Sequence, residues 1–356
     1  MRDILAAAVF VFPGALFVRR REWERAEPIE LAAVAFACSA AFWAVSFWTL
    51  RSIPLSLEAF AALTVLASVL ALVFFRKASW RPALEAWRSK ASSPAWQLAF
   101  IVVVLLLRLS FLLTRVAYSG GDMTAHAAMA EEIVLADGFP KTQQPLSPIS
   151  RFGEVSPGFH LLSALVSLFS GMPTYRSTIL VMSVAIAAAT FALYALLRRL
   201  ALPAGVAAAG SAGALFLARN PQFFLQWGGA PSILAVVVLL LLLRDALDLC
   251  EPGRWAFLWR VALLAAGALL IHVLPVISFV WLAPLVLLFH ALSVRESAKN
   301  LARNVPVVLA ASVVLALPYL EQAPRSVSPA ALAWVRGWFP AEVQSAVGLQ
   351  DRFAAL

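Results

Sequence analysis

The chain has 356 residues, of which 62% are apolar and 13% are charged, and its formal net charge is +9. Soluble domains are about 45–50% apolar and about 25% charged, so this composition excludes a soluble domain, a disordered chain and a nucleic-acid-binding module. The two cysteines, Cys38 and Cys250, lie in or next to apolar stretches and indicate neither a disulfide framework nor a metal knuckle. The composition predicts an all-α, polytopic membrane protein with a lipid environment and no nucleic-acid partner.

The apolar segments come close together along the chain. A helix that crosses a membrane needs about 20 apolar residues. Runs near this length are 29–50, 57–75, 95–117, 176–197, 255–271, 273–292 and 305–320, and shorter or broken runs are 4–18, 157–170, 203–218 and 230–243. We therefore expect about eleven membrane segments. The basic run 19–21 follows the first segment where a signal peptide would have a cleavage site, so we expect this segment to be retained.

The basic residues predict an orientation. The loops 19–28 and 76–94 carry four and five Lys or Arg, whereas 118–155 carries two together with five acidic residues. Lys and Arg concentrate on the cytoplasmic side of a membrane, so we expect 118–155 to be extracytoplasmic, outside the cytoplasmic (inner) membrane. Further along the chain, Arg198 and Arg199 would lie on the outer side of the membrane if the segment 157–170 spans it. Either that segment does not span, or the charge rule fails there.

A polar segment, 118–159, interrupts the apolar pattern, and so long a connection is typical of a functional or a disordered segment. Good helix formers from Met123 to Ala136 predict a short amphipathic helix on the outer membrane surface. On this helix Asp122 and His126 are four residues apart and share a face. The remaining acids of the helix, Glu131 and Glu132, are expected on a solvated face.

Two of these polar residues have simpler interpretations. Asp122 has the position and the side chain of an N-cap, which would stabilise the helix by about 1 kcal/mol. The other, His160, lies just inside the next apolar segment, where it is either an interfacial histidine or part of a site. Ionisable groups at membrane depth are costly, and this favours a functional role.

An aspartate that begins a short helix directly after a membrane helix, followed by the run Ser-Pro-Gly-Phe-His-Leu-Leu at 156–162, resembles membrane glycosyltransferases of the GT-C superfamily. This group includes the protein O-mannosyltransferases and the aminoarabinose transferases. The segment 219–229 is similar to a second loop of these enzymes, and the leading helices are similar to those of bacterial members. The resemblance covers roughly residues 95–245.

The resemblance implies transfer of a sugar from a polyprenyl-phosphate-linked donor to a glycan, lipid or protein acceptor at the outer face. Asp122 would then be the catalytic base, or would help to hold a metal ion. The substrate-binding candidates are His126, Arg151, His160, Arg219, Gln226 and Trp227. The chain would divide into leading helices at 1–94, a GT-C-like core at 95–320 that includes the loop 118–156, and an interfacial or extracytoplasmic tail at 321–356, unless the chain continues into a longer protein.

The sequence departs from the family pattern at one point that bears on the metal. The acidic pair often found beside the first aspartate is absent, and His126 lies nearby instead. Asp122 and His126 could bind a divalent ion, but two ligands make an incomplete site. His272, between two late helices, is the candidate for a third ligand, although a lone histidine within a membrane is more often packed or hydrogen-bonded.

Two other functions stay open, a transporter or lipid flippase and a non-catalytic scaffold with a GT-C-like fold. Transporters commonly contain internal repeats, and the sequence has no convincing one. Its charged residues also cluster in one outward loop instead of in mid-helix. Both observations favour the enzyme.

Overall fold

The computed structural model describes residues 2–19, 22–23, 26–50, 55–89, 94–114, 121–140, 156–216, 229–249, 255–293 and 295–320. Within this part the chain is helical and contains no strand, which confirms the all-α prediction. A 3-10 helix at Gly14–Phe17 follows the first α-helix. The α-helices are α1 Arg2–Val11, α2 Pro28–Leu50, α3 Leu57–Ser89, α4 Pro94–Thr114, α5 Gly121–Leu135, α6 Gly158–Ser170, α7 Thr174–Arg199, α8 Ala204–Phe216, α9 Ala230–Asp248, α10 Trp255–Ile271, α11 Val273–Ser293 and α12 Arg295–Leu320.

Five of the described helices contain a stretch that is long and apolar enough to cross a membrane: Pro28–Trp48, Leu57–Phe74, Thr174–Arg199, Ala230–Asp248 and Lys299–Leu317. Each of the eleven predicted apolar segments contains helix, but several of these helices are shorter than a span. The basic segment 76–94, expected to be a loop, is instead helical up to Ser89. Helix α3 has 33 residues, and its length of about 50 Å exceeds the thickness of a bilayer core.

Helix α2 lies at the centre of the bundle, where it packs against α6, α7, α9 and α10. Its alanines allow neighbouring backbones to approach closely, as is common where helices pack in membranes. A Cβ atom added at Gly267 of α10 would overlap the Cβ of Ala41, and one added at Gly14 would overlap the carbonyl oxygen of Ala35. Close packing on α2 therefore joins the leading helices to the later ones.

Helix α6 does not run the length of the bundle, because both of its ends lie beside α5. Near its start His160 contacts His126 of α5. Shortly after its end Thr174 donates a hydrogen bond to Glu131 of α5. The 26 residues of α7 then extend about 39 Å away from this point. The structure thus favours the first of the two alternatives left by the charge pattern, a segment at 157–170 that does not span.

The bundle has two polar ends. Helix α9 carries Ser232 in its first turn and Asp245 thirteen residues later, about 20 Å along the axis. The histidine end consists of His126, His160, Ser232 and His272. The arginine end consists of Arg19, Glu22, Arg199, Arg244, Asp245, Asp248 and Arg260.

Candidate site at the histidine end

Helix α5 carries the residues predicted to do the chemistry. It begins at Gly121, so Asp122 lies inside the first turn and not at the N-cap position. The side chain of Asp122 lies outside the described residues. At the other end of α5, Asp137 adopts a left-handed conformation with φ of 45°. Its carboxylate oxygen Oδ1 accepts a hydrogen bond of 3.0 Å from the backbone N–H of Leu57. This contact fixes the end of α5 against the start of α3.

His126 and His160 meet directly. Nδ1 of His126 lies 2.9 Å from Nε2 of His160, which is hydrogen-bond distance. The His160 side chain is only 1% exposed, whereas His126 is half-buried. The buried ring of Phe159 packs edge-on against His126 at a centroid distance of 5.8 Å. The run at 156–162 therefore supplies both a polar and an aromatic neighbour to α5.

The position of His160 is set by the close approach of three helices, α2, α6 and α10. A Cβ added at Gly158 would lie 2.8 Å from the Cβ of Ala44 in α2 and 2.8 Å from Cγ1 of Ile271 in α10. The hydroxyl of Ser156 donates a hydrogen bond of 3.2 Å to the carbonyl of Leu269. Since only glycine fits at 158, the Pro-Gly pair brings the start of α6 against the end of α10.

His272 lies between α10 and α11, as the sequence predicts, and next to the other two histidines. Its Nδ1 is 3.3 Å from the hydroxyl of Ser232. Burial, together with the nearby His126, lowers the pKa of His272 to about 4, so this ring is neutral at pH 7. Three of the four histidines of the chain thus gather at one end of the bundle.

The expectation of a solvated face for the two glutamates of α5 is wrong. Oε2 of Glu131 accepts a hydrogen bond of 2.8 Å from Thr174 at the start of α7. Partial burial raises the pKa of Glu132. The apolar residues that dock α5 on α6 and α7 are Met123, Met129, Ala130 and Ile133. The spacing of residues along α5 could not predict this docking, because the docking depends on where α6 lies relative to α5.

Four predicted substrate-binding residues, Arg151, Arg219, Gln226 and Trp227, lie outside the described residues, as does the tail 321–356. Among the side chains that are described, no group of three or more His, Cys, Asp or Glu is placed to hold a metal ion.

The arginine end is a second cluster, which was not predicted from the sequence. Oε2 of Glu22 accepts a hydrogen bond of 2.6 Å from Nη1 of Arg260. Oε1 of Glu22 accepts one of 3.1 Å from Arg244. Asp245 is 2.9 Å from a guanidinium nitrogen of each of these two arginines. All four side chains are less than 10% exposed, so their charges are compensated by one another.

Two half-buried arginines, Arg19 and Arg199, lie at the edge of the arginine end. Arg19 and Arg199 both bind Asp248, and the guanidinium of Arg19 lies 4.6 Å from the ring centre of Phe257. Burial alone would raise the pKa of Glu22, but the charges of Arg260, Arg244 and Arg19 outweigh it and hold that pKa well below its usual value.

Charged residues inside apolar helices were the signal that was available for this cluster. The expectation that the charged residues concentrate in the outward loop is wrong for the described part of the chain. The arginine end places four buried charged side chains within α9 and α10: Arg244, Asp245, Asp248 and Arg260. This removes one of the two observations that favoured an enzyme over a transporter.

Comparison with known proteins gives no significant match to a family model, to a curated protein or to a solved structure. The fold defines a class, an all-helical protein with five helices in its described part that are able to span a membrane by length and composition.

Proposed function

We propose that the protein is a membrane glycosyltransferase with a GT-C-like fold of about eleven membrane segments, whose histidine end faces outward. One observation supports this proposal above the others. The two sequence segments that resemble the GT-C enzymes, the helix that begins at Asp122 and the run at 156–162, lie against each other through His126 and His160. If the likeness of these two segments to the GT-C enzymes were due to chance, there would be no reason for the segments to contact each other.

In the proposed reaction, a hydroxyl of the acceptor attacks the anomeric carbon of the donor sugar. The bond from that carbon to the phosphate oxygen breaks, and polyprenyl phosphate leaves with the electron pair. The carboxylate of Asp122 takes the hydroxyl proton, a contribution of about 10²–10⁴ in rate for a positioned base. Arg151 and Arg219 are the proposed partners of the phosphate, because a guanidinium binds phosphate oxygens in pairs.

A divalent metal ion remains part of the proposal only as an addition to the carboxylate of Asp122. The described nitrogen donors at this end are imidazoles, which suit zinc-like ions better than magnesium or manganese. His126 moreover uses its Nδ1 in the contact with Nε2 of His160. In the proposed reaction the protein residues therefore act without a metal step.

The proposal is tested with the full-length protein in proteoliposomes. Undecaprenyl-phosphate-linked hexoses and pentoses serve as donors and a cell-envelope extract serves as the acceptor. We expect transfer by the wild type and by Thr124→Ala, a change at an exposed position of the same helix. Asp122→Asn should reduce transfer at least about 100-fold. An Asp122→Asn protein that transfers as fast as the wild type would overturn the assignment of the base.

A transporter or lipid flippase is the second candidate, and the buried charges of the arginine end favour it, since such groups mark substrate pathways in membranes. Donor movement across the bilayer in the absence of acceptor separates the two functions. The transferase predicts movement no faster than in empty liposomes. Fast movement of the donor without any sugar transfer would establish the transporter. If the protein shows neither donor movement nor sugar transfer, the non-catalytic scaffold is the function that remains.

A further inference from the structure

We propose that Thr174 and Asp137 are positioning residues for the reaction at Asp122, because each of them anchors helix α5 to another helix of the bundle. Together they set the place of a carboxylate that lies at the opposite end of α5. This inference rests on the proposed function and adds two residues that act on the same site through α5.

The contact between α5 and α7 is a hydrogen bond between two side chains. The hydroxyl of Thr174, the first residue of α7, donates a hydrogen bond of 2.8 Å to Oε2 of Glu131 in the third turn of α5. Thr174 is 7% exposed, and its carbonyl oxygen accepts hydrogen bonds from the hydroxyls of Ser177 and Thr178. A hydrogen bond to a carboxylate is stronger than one between neutral groups. The middle of α5 is thus held at a fixed point of α7.

The contact between α5 and the leading helices follows the last turn of α5. Oδ1 and the carbonyl oxygen of Asp137 both accept a hydrogen bond from the backbone N–H of Leu57, at 3.0 Å and 3.1 Å. The ring of Phe139 lies 5.0 Å from that of Phe47 and 4.9 Å from that of Trp48, measured between ring centres. The end of α5 is therefore anchored on both α2 and α3.

The length of α5 gives these anchors an effect on its other end. Asp122 lies nine residues before Glu131 and fifteen before Asp137, about 14 Å and about 22 Å along the helix axis. A rotation of α5 by about 3° around its end would displace the backbone of Asp122 by about 1 Å. A misplacement of this size can lower the rate of a reaction about 100-fold.

The other contacts of α5 do not fix its direction. The buried side chains of Met123 and Ile133 hold α5 on the bundle, but apolar contacts are not directional. His126 meets His160 near the start of α5, and a helix held at one point can still swing around it. Hydrogen bonds to α7 and to α3 add two further fixed points, and three fixed points determine the position of a rigid helix.

Two matched pairs of variants test the proposal in proteoliposomes with the full-length protein. Thr174→Val removes the hydroxyl, whereas Thr174→Ser keeps the donor. Asp137→Ala removes the carboxylate, whereas Asp137→Asn keeps an acceptor oxygen and tolerates the left-handed backbone. Per folded molecule, we expect kcat to fall at least about tenfold in the Val and Ala variants. The KM for the donor should change little, because a misplaced base affects mainly the transition state. The Ser and Asn variants should keep the wild-type kcat.

A second measurement reports the position of α5 without any activity. In a variant with both native cysteines replaced, spin labels are attached to cysteines at Thr124 of α5 and at Leu200, which are both exposed. Pulsed electron paramagnetic resonance gives the distance distribution between the labels. We expect Thr174→Val and Asp137→Ala to shift or broaden this distribution, and Thr174→Ser and Asp137→Asn to leave it as in the wild type.

The two measurements separate the possible failures. Wild-type kcat in both Thr174→Val and Asp137→Ala would overturn the positioning role, and so would a lower kcat with an unchanged distance distribution. An equal loss in Thr174→Ser and Thr174→Val would also overturn it, since serine keeps the hydrogen bond. If the wild type transfers no sugar, the proposed function fails, and the distance distributions still decide whether Thr174 and Asp137 anchor α5.

Discussion

Arg19 and Asp248 are hydrogen-bonded although 229 positions separate them, with Nη2 of Arg19 lying 2.9 Å from Oδ2 of Asp248. The other oxygen of Asp248 accepts a hydrogen bond of 2.8 Å from Arg199. One carboxylate therefore joins the first basic segment to the end of α7. The consequence is that the residues at 19–23 and at 198–200 share one end of the bundle.

This relationship predicts from which side of the membrane a reagent can reach each end of the bundle. In a variant with both native cysteines replaced, we place a single cysteine at Thr124 or at Leu200, both of which are exposed. A membrane-impermeant thiol reagent should label the first in intact cells and the second only in inside-out vesicles. Labelling of both cysteines from the same side would contradict the placement of the histidine and arginine ends on opposite faces.

The arginine end predicts a large stability effect of Arg260→Met. The change leaves Glu22 and Asp245 buried without their main partner, and removal of one member of a buried ion pair costs about 3–5 kcal/mol. Unfolding in detergent measures the loss. Arg176→Met, the same substitution at an exposed position of α7, should change the stability little. Equal effects of the two changes would show that the network contributes nothing beyond the packing of one side chain.

Close packing on α2 predicts a contrast between two glycines. Gly267→Ala introduces a methyl group that overlaps Ala41, so we expect a loss of about 1–3 kcal/mol. Gly213, in α8, has no atom within 4 Å of an added Cβ. Gly213→Ala should therefore be neutral or stabilise the helix by up to about 1 kcal/mol. Thermal unfolding of the two variants in detergent, side by side, measures the contrast, and a Gly267→Ala variant as stable as Gly213→Ala would contradict the packing of α10 on α2.

His272 predicts a pH dependence of stability. Its pKa of about 4 in the folded protein lies below the ordinary value of 6.5, so between these values the unfolded chain binds a proton that the folded chain does not. Its contribution is fully present above about pH 6.5 and is lost as the pH falls towards 4, a change on the order of 3 kcal/mol. His272→Gln should flatten the decline in this window. Parallel dependences of stability on pH in the two proteins would refute a half-buried, neutral His272.

Part of this structure was predictable from the sequence, and the reasons are local. Apolar periodicity and length identified the helices, and Gly138 and Pro140 placed the end of α5 within a few residues. The meeting of His126 with His160 was not predictable, because it depends on the close approach at Gly158, which periodicity does not encode. At the arginine end, the charged residues inside apolar helices were visible in the sequence, but their partners were not predictable, since Glu22 contacts Arg260 only through the tertiary packing of α10.

If the chemistry takes place at the histidine end, variants of the two ends of the bundle should differ in their rate of sugar transfer. Sugar transfer per folded molecule is measured in proteoliposomes for Asp122→Asn and for Arg199→Gln, whose side chain binds Asp248 at the arginine end. We predict that the first variant loses at least about 100-fold and that the second keeps the wild-type rate. Full activity of Asp122→Asn, with loss of activity in Arg199→Gln, would contradict the account.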